Sequence, residues 1–393
     1  MATDSSTADD TGWSNLSTSA SDGQLMLESG IAEKCAQHVE TMLNAVVGVI
    51  NWIGSNYKQA SPAIAETSSG EQLAEVFREK FQDELKSVLE QHRSVLTDMG
   101  NTFVSAGKQY ASSEGESTES FEDISFDGSG ATSPSGSAES QTIPSSSTTT
   151  SSSGTKESLS ITPEQGSSFS WQQLYSIGQS IKPQDVADAG GVWYWLAKDL
   201  AGDFSTLESS IESAENDWTG SGASAAVSAT KKYVQAADLL TTDMNKIGDV
   251  LVSASHWLQQ TKNSMPTTAN PPTTSGSGYS TSASDIAAET EPYQNAFTQH
   301  YTDSFSSTSD NILVLPEPSQ TSDSSNGSSG SSGSSGSGSD GSSGDSSSGP
   351  SGSRGSSSDS SSSSSTGASG STGPSSSSAN GSTSGSSGST TGS

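Results

Sequence analysis

Basic residues, apolar residues and cysteine are all scarce in this sequence. Among 393 residues, 15 are Lys or Arg and 45 are Asp or Glu, which gives a formal net charge of -30. This charge disfavours nucleic acid and anionic membrane surfaces as partners, because both attract basic side chains. Hydrophobic residues make up 28%, too few for one packed core over the whole length. We therefore expect a solvated part and a part that concentrates the apolar residues.

Long apolar runs and an obvious leader are also missing. Uninterrupted apolar stretches, such as residues 45–47, are far too short to span a bilayer. Residues 1–4 lack the basic and apolar regions of a cleaved Sec-type signal peptide, so we expect any export signal to lie elsewhere. The single cysteine, Cys35, falls on an apolar helical stripe and is predicted to be a buried small hydrophobe.

Two stripes of apolar residues with helical spacing follow the N-terminal segment 1–22, which we expect to be a disordered tail. Apolar residues recur at three- and four-residue steps over residues 31–57 and again over 73–110. Each stripe needs a partner for its apolar face. We predict that residues 23–114 form an antiparallel helical hairpin.

Two signals for the start of a helix stand in the polar stretches. Ser68 with Glu71, or Ser69 with Gln72, is typical of a capping box at the beginning of the second helix. Further along, residues 162–164 read Thr-Pro-Glu, which predicts that a second helical region opens there.

Polar, low-complexity sequence interrupts and ends the helical patterns. Residues 115–160 are rich in Ser, Thr and Gly, which predicts a flexible linker, with Phe121, Ile124 and Phe126 packing on the first hairpin. Residues 319–393 are almost entirely Ser and Gly, which predicts a disordered tail.

A second helical domain is predicted for residues 161–318. The apolar stripes 193–214 and 226–258 alternate steps of three and four, which is typical of a coiled-coil-like seam. A Gly-rich break between them indicates another helical hairpin. The segment 285–305 is a last amphipathic helix. The fold class predicted is all-α: an elongated bundle of two antiparallel helical hairpins.

The sequence carries none of the usual patterns of an enzyme or a metal site. The histidines are scattered one to a helix, and none has metal-binding spacing: His38, His92, His256 and His300. We find no phosphate-cradling Gly-Lys-Ser/Thr loop. We therefore expect a non-catalytic protein without metal or cofactor.

Two short motifs stand out by their position. Trp218-Thr219-Gly220 lies where the two stripes of the second region meet, and a hairpin turn favours glycine because it adopts positive φ readily. A tryptophan there also has a purely structural interpretation, as a plug at the end of the core. Tyr110 and Glu114 are four residues apart and share one face at the end of the second helix. The simpler explanation for this pair is a helix that runs out into a polar linker.

Taken together, these motifs carry a resemblance. A hairpin ending in Tyr-x-x-x-Glu, followed by a helical region with Trp-x-Gly at its turn, resembles the fused PE-like and PPE-like modules of type VII (ESX) secretion substrates of the EspB kind. Residues 99–110 are similar to the helix end in those proteins. The resemblance implies a composite export signal, with Tyr110, Glu114, Trp218 and Gly220 at one end of the bundle.

The resemblance also implies a biological setting. It implies a secreted or cell-envelope protein whose partners are the type VII secretion ATPase and a dedicated chaperone, and which acts outside the cell by protein interaction or as a homo-oligomer. Two alternatives from other classes stay open. One is a generic cell-surface helical stalk, and the other is the N-terminal module of a polymorphic toxin that lacks its toxin domain.

Overall fold

Helices make up most of the part of the chain that this computed structural model describes. The described residues are 13–23, 25–146, 153–215, 221–272 and 282–318. The helices are α1 (Trp13–Ser21), α2 (Ser29–Asn56), α3 (Ser68–Glu79), α4 (Lys86–Glu114), α5 (Trp171–Ser180), α6 (Pro183–Glu215), α7 (Ser221–Asn263), α8 (Ala283–Phe297) and α9 (Asp303–Ser309). Two π-helical segments join α3 to α4 and α8 to α9: Lys80–Leu85 and Thr298–Thr302.

Pairing between extended segments is minimal. Over the described ranges, a single isolated antiparallel bridge links Lys156 to Leu313 and no sheet forms. The predicted all-α class is therefore confirmed. None of the helices in these ranges is long and apolar enough to cross a membrane. The predicted tail 319–393 lies outside the described residues, and the elongation of the bundle stays a prediction.

The first helix pair consists of α2 packed antiparallel against the continuous helix α3–α4. The Trp52 ring lies 6.3 Å from that of Phe81 near one end, and Ala32 packs beside Gly107 near the other. The apolar stripe explains the pairing, because most of its members on both helices are buried, Cys35 among them at 1% exposure. Helix α3 begins at Ser68, as predicted, but the predicted capping box was wrong: Thr67 caps the helix and accepts a hydrogen bond from the Gly70 N–H at 3.0 Å.

The second helix pair consists of α6 and α7, which also run antiparallel. The rings of Phe204 and Tyr233 are 5.9 Å apart, and Tyr194 donates a hydrogen bond to Asp249 at 2.6 Å. Helix α6 begins at Pro183, whose fixed φ and missing N–H suit the first turn of a helix.

A seam of aromatic side chains joins the two helix pairs, and the described residues that form them belong to one compact unit. Phe81 of the π-helical segment meets Trp193 of α6 at 5.1 Å, and His92 of α4 meets Phe204 of α6 at 5.7 Å. Eleven residues separate the two contacts on each helix, from 81 to 92 and from 193 to 204. Helices α4 and α6 therefore run parallel and in register along the seam.

Part of the predicted N-terminal tail is a helix. Trp13 at the start of α1 is fully buried, and its ring lies 5.6 Å from Phe103 on α4. Leu16 and Ala20 continue the same face into the core. The helix forms because burial of Trp13 compensates for the low helix propensity of the surrounding serines. Residues 1–12 lie outside the described part.

The predicted flexible linker also differs from expectation. Residues 115–146 and 153–160 lie along the helices, and Phe121 is buried while Ile124 and Phe126 pack against the core as predicted. We call residues 119–144 the strap. Its contacts are mainly with helix side chains and helix glycines, which composition does not reveal.

The predicted helix start at residues 162–164 was wrong as well. No helix begins there; the Glu164 carboxylate instead accepts hydrogen bonds from the backbone and hydroxyl of Ser69, at 3.0 and 2.5 Å. Tyr301 joins this buried cluster and lies 2.7 Å from the Thr67 hydroxyl. The next helix, α5, begins at Trp171, where the Ser170 N–H donates to the Gln173 side chain at 2.9 Å.

A buried lysine ties three chain segments together beside the first helix pair. Lys80, 2% exposed, forms ion pairs with Glu84 in the same π-helical segment and with Glu157. Glu84 also accepts a hydrogen bond from the backbone N–H of Leu315 at 2.6 Å. This one cation therefore neutralises two carboxylates that anchor separate segments.

We expect Lys80→Met to lower the free energy of unfolding by about 3–5 kcal/mol, because it leaves two carboxylates facing each other without a cation. Urea denaturation followed by circular dichroism measures the change. Lys86→Met is the matched control, since Lys86 is exposed, and it should change stability by less than about 0.5 kcal/mol. Equal stability of the two variants would contradict the role assigned to Lys80.

A second buried polar residue, His92, lies in the aromatic seam. It is fully buried, its Nδ1 lies 3.2 Å from the Tyr233 hydroxyl, and its Nε2 has no hydrogen-bond partner. Burial lowers the pKa of His92 from 6.5 to about 3. The His92 ring is therefore neutral in the folded protein at neutral pH.

This shift predicts acid sensitivity. The unfolded chain binds a proton at His92 below its ordinary pKa, whereas the folded chain does not until the pH nears 3. Stability is therefore complete above pH 6.5 and is lost as the pH falls towards 3, by about 2 kcal/mol at pH 5. The difference in unfolding free energy between pH 7 and pH 5 should shrink by that amount in His92→Gln. It should not change in His38→Gln, which alters an exposed histidine.

Candidate functional site

The Tyr110–Glu114 motif occupies the last turn of α4. Tyr110 is half-buried and Glu114 is exposed, so both are accessible from solvent at the helix end. Gly115 terminates the helix in the left-handed conformation with φ 72°, and its N–H donates to the carbonyl of Ala111. This arrangement is a common helix ending because glycine adopts positive φ without a Cβ clash. The sequence correctly predicts this helix end.

Neighbouring segments fix the position of this end. The Ser29 hydroxyl at the start of α2 donates to the Glu116 carboxylate at 2.6 Å, which ties the two ends of the first helix pair. The Leu27 N–H donates to the Ala106 carbonyl at 3.4 Å. The side chain of Gln109 reaches the carbonyl of Ser21 at the end of α1 at 3.5 Å. These hydrogen bonds hold the end of α4, and with it the motif, in a fixed position.

Helix α1 was not part of the predicted site, but it packs beside it. It lies on α4 and also touches α7, so it fills space between the two helix pairs near the end that carries Tyr110. The signal for it was present in the sequence, because Trp13, Leu16 and Ala20 recur at helical steps of three and four. Nine residues are too few for that pattern to be recognised among flanking serines.

The other half of the predicted signal, Trp218 and Gly220, lies outside the described residues. The flanking helices are described: α6 ends at Glu215 and α7 begins at Ser221. Because α4 and α6 run parallel, both helices end in the same direction. From the His92–Phe204 contact, α4 continues about 27 Å to Tyr110 and α6 continues about 16 Å to Glu215. The last residue of α6, Glu215, and Tyr110 therefore lie toward the same end of the bundle.

Two exposed carboxylates, those of Glu114 and Glu116, follow the half-buried Tyr110. In the described ranges, no group of three or more His, Cys, Asp or Glu side chains is arranged to hold a metal ion. The buried cluster of Ser69, Glu164 and Tyr301 contains a hydroxyl beside a carboxylate. Ser69 is only 1% exposed, so this cluster is a structural tie at the start of α3.

Comparison of the chain with protein-family models, with curated proteins and with solved structures found no match. The function is therefore inferred from the residues of this chain and their geometry.

The shared end can be measured directly with pairs of labels. Cysteine substitutions at exposed Ser112 and Ser213 should place two spin labels within about 30 Å, because the two helix ends are offset by only about 16 Å along the axis. The native Cys35 should stay unlabelled, since it is 1% exposed and burial raises its pKa to about 12.

Labels at Ser112 and Ser55 serve as the control pair. Ser55 lies at the opposite end of α2, so this separation should be about 50 Å. A Ser112–Ser213 distance as long as the control distance would mean that α4 and α6 do not end together.

Proposed function

We propose that this chain is a non-catalytic substrate of a type VII (ESX) secretion system that is exported to the cell surface or the medium. The proposed signal is composite, formed by Tyr110 and Glu114 at the end of α4 together with Trp218 and Gly220 between α6 and α7. The observation that carries the proposal is the parallel run of α4 and α6. It supports the proposal that two motifs 108 positions apart in sequence, at 110 and 218, share one end of the bundle.

The accessibility of the first motif supports this proposal. Tyr110 is half-buried and Glu114 exposed, so the side chains offer a ring face and a carboxylate to a binding partner without partial unfolding. The bracing of the α4 end by Ser29 and by Gln109 keeps the motif in one orientation. A preorganised surface binds with a smaller loss of conformational entropy than a free tail would.

On this proposal the secretion ATPase, with a dedicated chaperone, recognises a folded bundle rather than an unfolded leader. The exposed carboxylates at this end would pair with basic side chains of the partner. Outside the cell, we propose that the helical bundle acts by protein interaction or self-assembly.

Export assays in a strain with an intact type VII system test the proposal. Tyr110→Ala, Glu114→Ala and Trp218→Ala should each reduce the secreted fraction to the level of a strain that lacks the type VII ATPase. The two α4 variants should keep their thermal midpoints within a few degrees, because they alter accessible side chains at a helix end. Their loss of export would then be a loss of recognition.

Matched controls separate recognition from stability. Tyr57→Ala removes a half-buried tyrosine just beyond the end of α2, and Glu119→Ala removes an exposed glutamate five residues after the motif. Both controls should be exported normally. Normal secretion of all three motif variants would favour a generic surface stalk instead, and export that is independent of the ATPase would reject the type VII assignment.

A further inference from the structure

The strap, residues 119–144, crosses all four long helices in succession. It begins on α4, where Phe121 is buried and the Arg93 side chain donates to the Asp127 carbonyl at 3.0 Å. It then passes over α2, where the Ser125 N–H donates to the Glu40 carboxylate at 3.2 Å. After crossing α6 it ends on α7, where the ring of His256 donates to the carbonyl of Pro144 at 2.7 Å. One segment thus bridges both helix pairs.

Two aspartates on α6 hold the middle of the strap. The hydroxyl of Ser135 donates to Asp199 at 2.5 Å, and the carbonyl of the same serine accepts from the Trp195 indole at 2.7 Å. The hydroxyl of Ser140 donates to Asp188 at 2.8 Å. These contacts are polar and lie near solvent, so each contributes a modest net stabilisation.

Helix glycines form the seat on which the strap lies. A methyl group at Gly48 of α2 would overlap the backbone carbonyl of Thr132, and one at Gly191 of α6 would overlap that of Glu139. Glycine inside a helix costs about 1 kcal/mol relative to alanine. Two such positions beneath the same segment show that the helices are shaped to accept the strap.

The helix pairs hold together without using the strap. The Phe81–Trp193 and His92–Phe204 contacts join them directly through the core. Across residues 119–144, Phe121 is the one side chain that is fully buried. A few apolar side chains, among them Ile124 and Phe126, are partly buried, and most of the remaining residues are exposed. A segment with few buried apolar contacts opens at a lower free energy than the helices beneath it.

From these observations we infer that the strap is a releasable clasp: it leaves its seat as a unit while both helix pairs stay folded. Asp188 and Asp199 are its fastening points, and Gly48 and Gly191 are its seat. Release removes the cover from Trp195, whose ring packs at 5.0 Å against Trp52 in the groove between α2 and α6. The clasp thus controls access to the aromatic groove between the helix pairs.

Hydrogen exchange of the full chain, followed by mass spectrometry, tests the clasp. The double variant Gly48→Ala/Gly191→Ala should raise the exchange rates of strap amides, such as those of Ser125 and Gln141, by about tenfold or more. Amides of α2, α4, α6 and α7 should keep their wild-type rates. The far-ultraviolet circular dichroism should also be unchanged.

The same two helices provide a matched control. Gly54 of α2 and Gly202 of α6 have no atom within 4 Å of where a Cβ would lie, so Gly54→Ala/Gly202→Ala should leave strap exchange unchanged. A second releasing variant, Asp188→Ala/Asp199→Ala, removes the fastening points and leaves the seat intact. It should raise strap exchange in the same way, and Asp203→Ala on α6 is its control.

Two results would overturn the inference. Strap amides that stay protected in both releasing variants would show that the seat and the aspartates do not hold the strap. Helix amides that lose protection together with the strap would show that it cannot open separately from the bundle.

Discussion

The aromatic seam between the two helix pairs is the constraint on which the remaining structure depends. Phe81 with Trp193, and His92 with Phe204, set the spacing and register of the α3–α4 helix against α6, and His92 with Tyr233 sets its spacing from α7. An edge-to-face pair such as Phe81–Trp193 adds about 0.5–1.5 kcal/mol beyond the burial of its area. Such contacts also require particular ring angles, and a shift of one helix along the other would lose them. One register is therefore favoured. The orientation of both helix pairs therefore follows from a few large side chains.

Polar groups buried beside this seam restrict the packing of the two helix pairs further. An unpaired His92 Nε2 and the Lys80 cation are tolerated only where their surroundings are fixed, because a buried polar group without its partner is costly. Lys80 connects the π-helical segment to Glu157 and, through Glu84, to Leu315. The non-helical segments are thus positioned by the same helices whose packing the seam determines.

Sequence periodicity was sufficient for the long helices and insufficient for everything held by tertiary contacts. The stripes of α2, α4, α6 and α7 predicted those helices, and the place of Cys35 in the core, because a helix buries one face at a fixed period. The strap was misjudged as flexible because its composition is that of a linker. Its order comes from aspartates and glycines that are far away in sequence, such as Asp199 and Gly48. Likewise, residues 162–164 were predicted to begin a helix, but the Glu164 carboxylate accepts a hydrogen bond from the Ser69 N–H at the start of α3.

For the candidate site, too, the sequence predicts the helix but not the tertiary arrangement. Periodicity places Tyr110 at a helix end, but it cannot tell whether that end coincides with the α6–α7 connection. Coincidence requires α4 and α6 to run parallel, so the chain must return along the bundle before α6 begins. The 33 residues of α6 span about 50 Å, a distance that about 15 extended residues can cover. A short loop would have forced the two helices antiparallel. The long connection, and the strap within it, are therefore what allow α4 and α6 to end in the same direction.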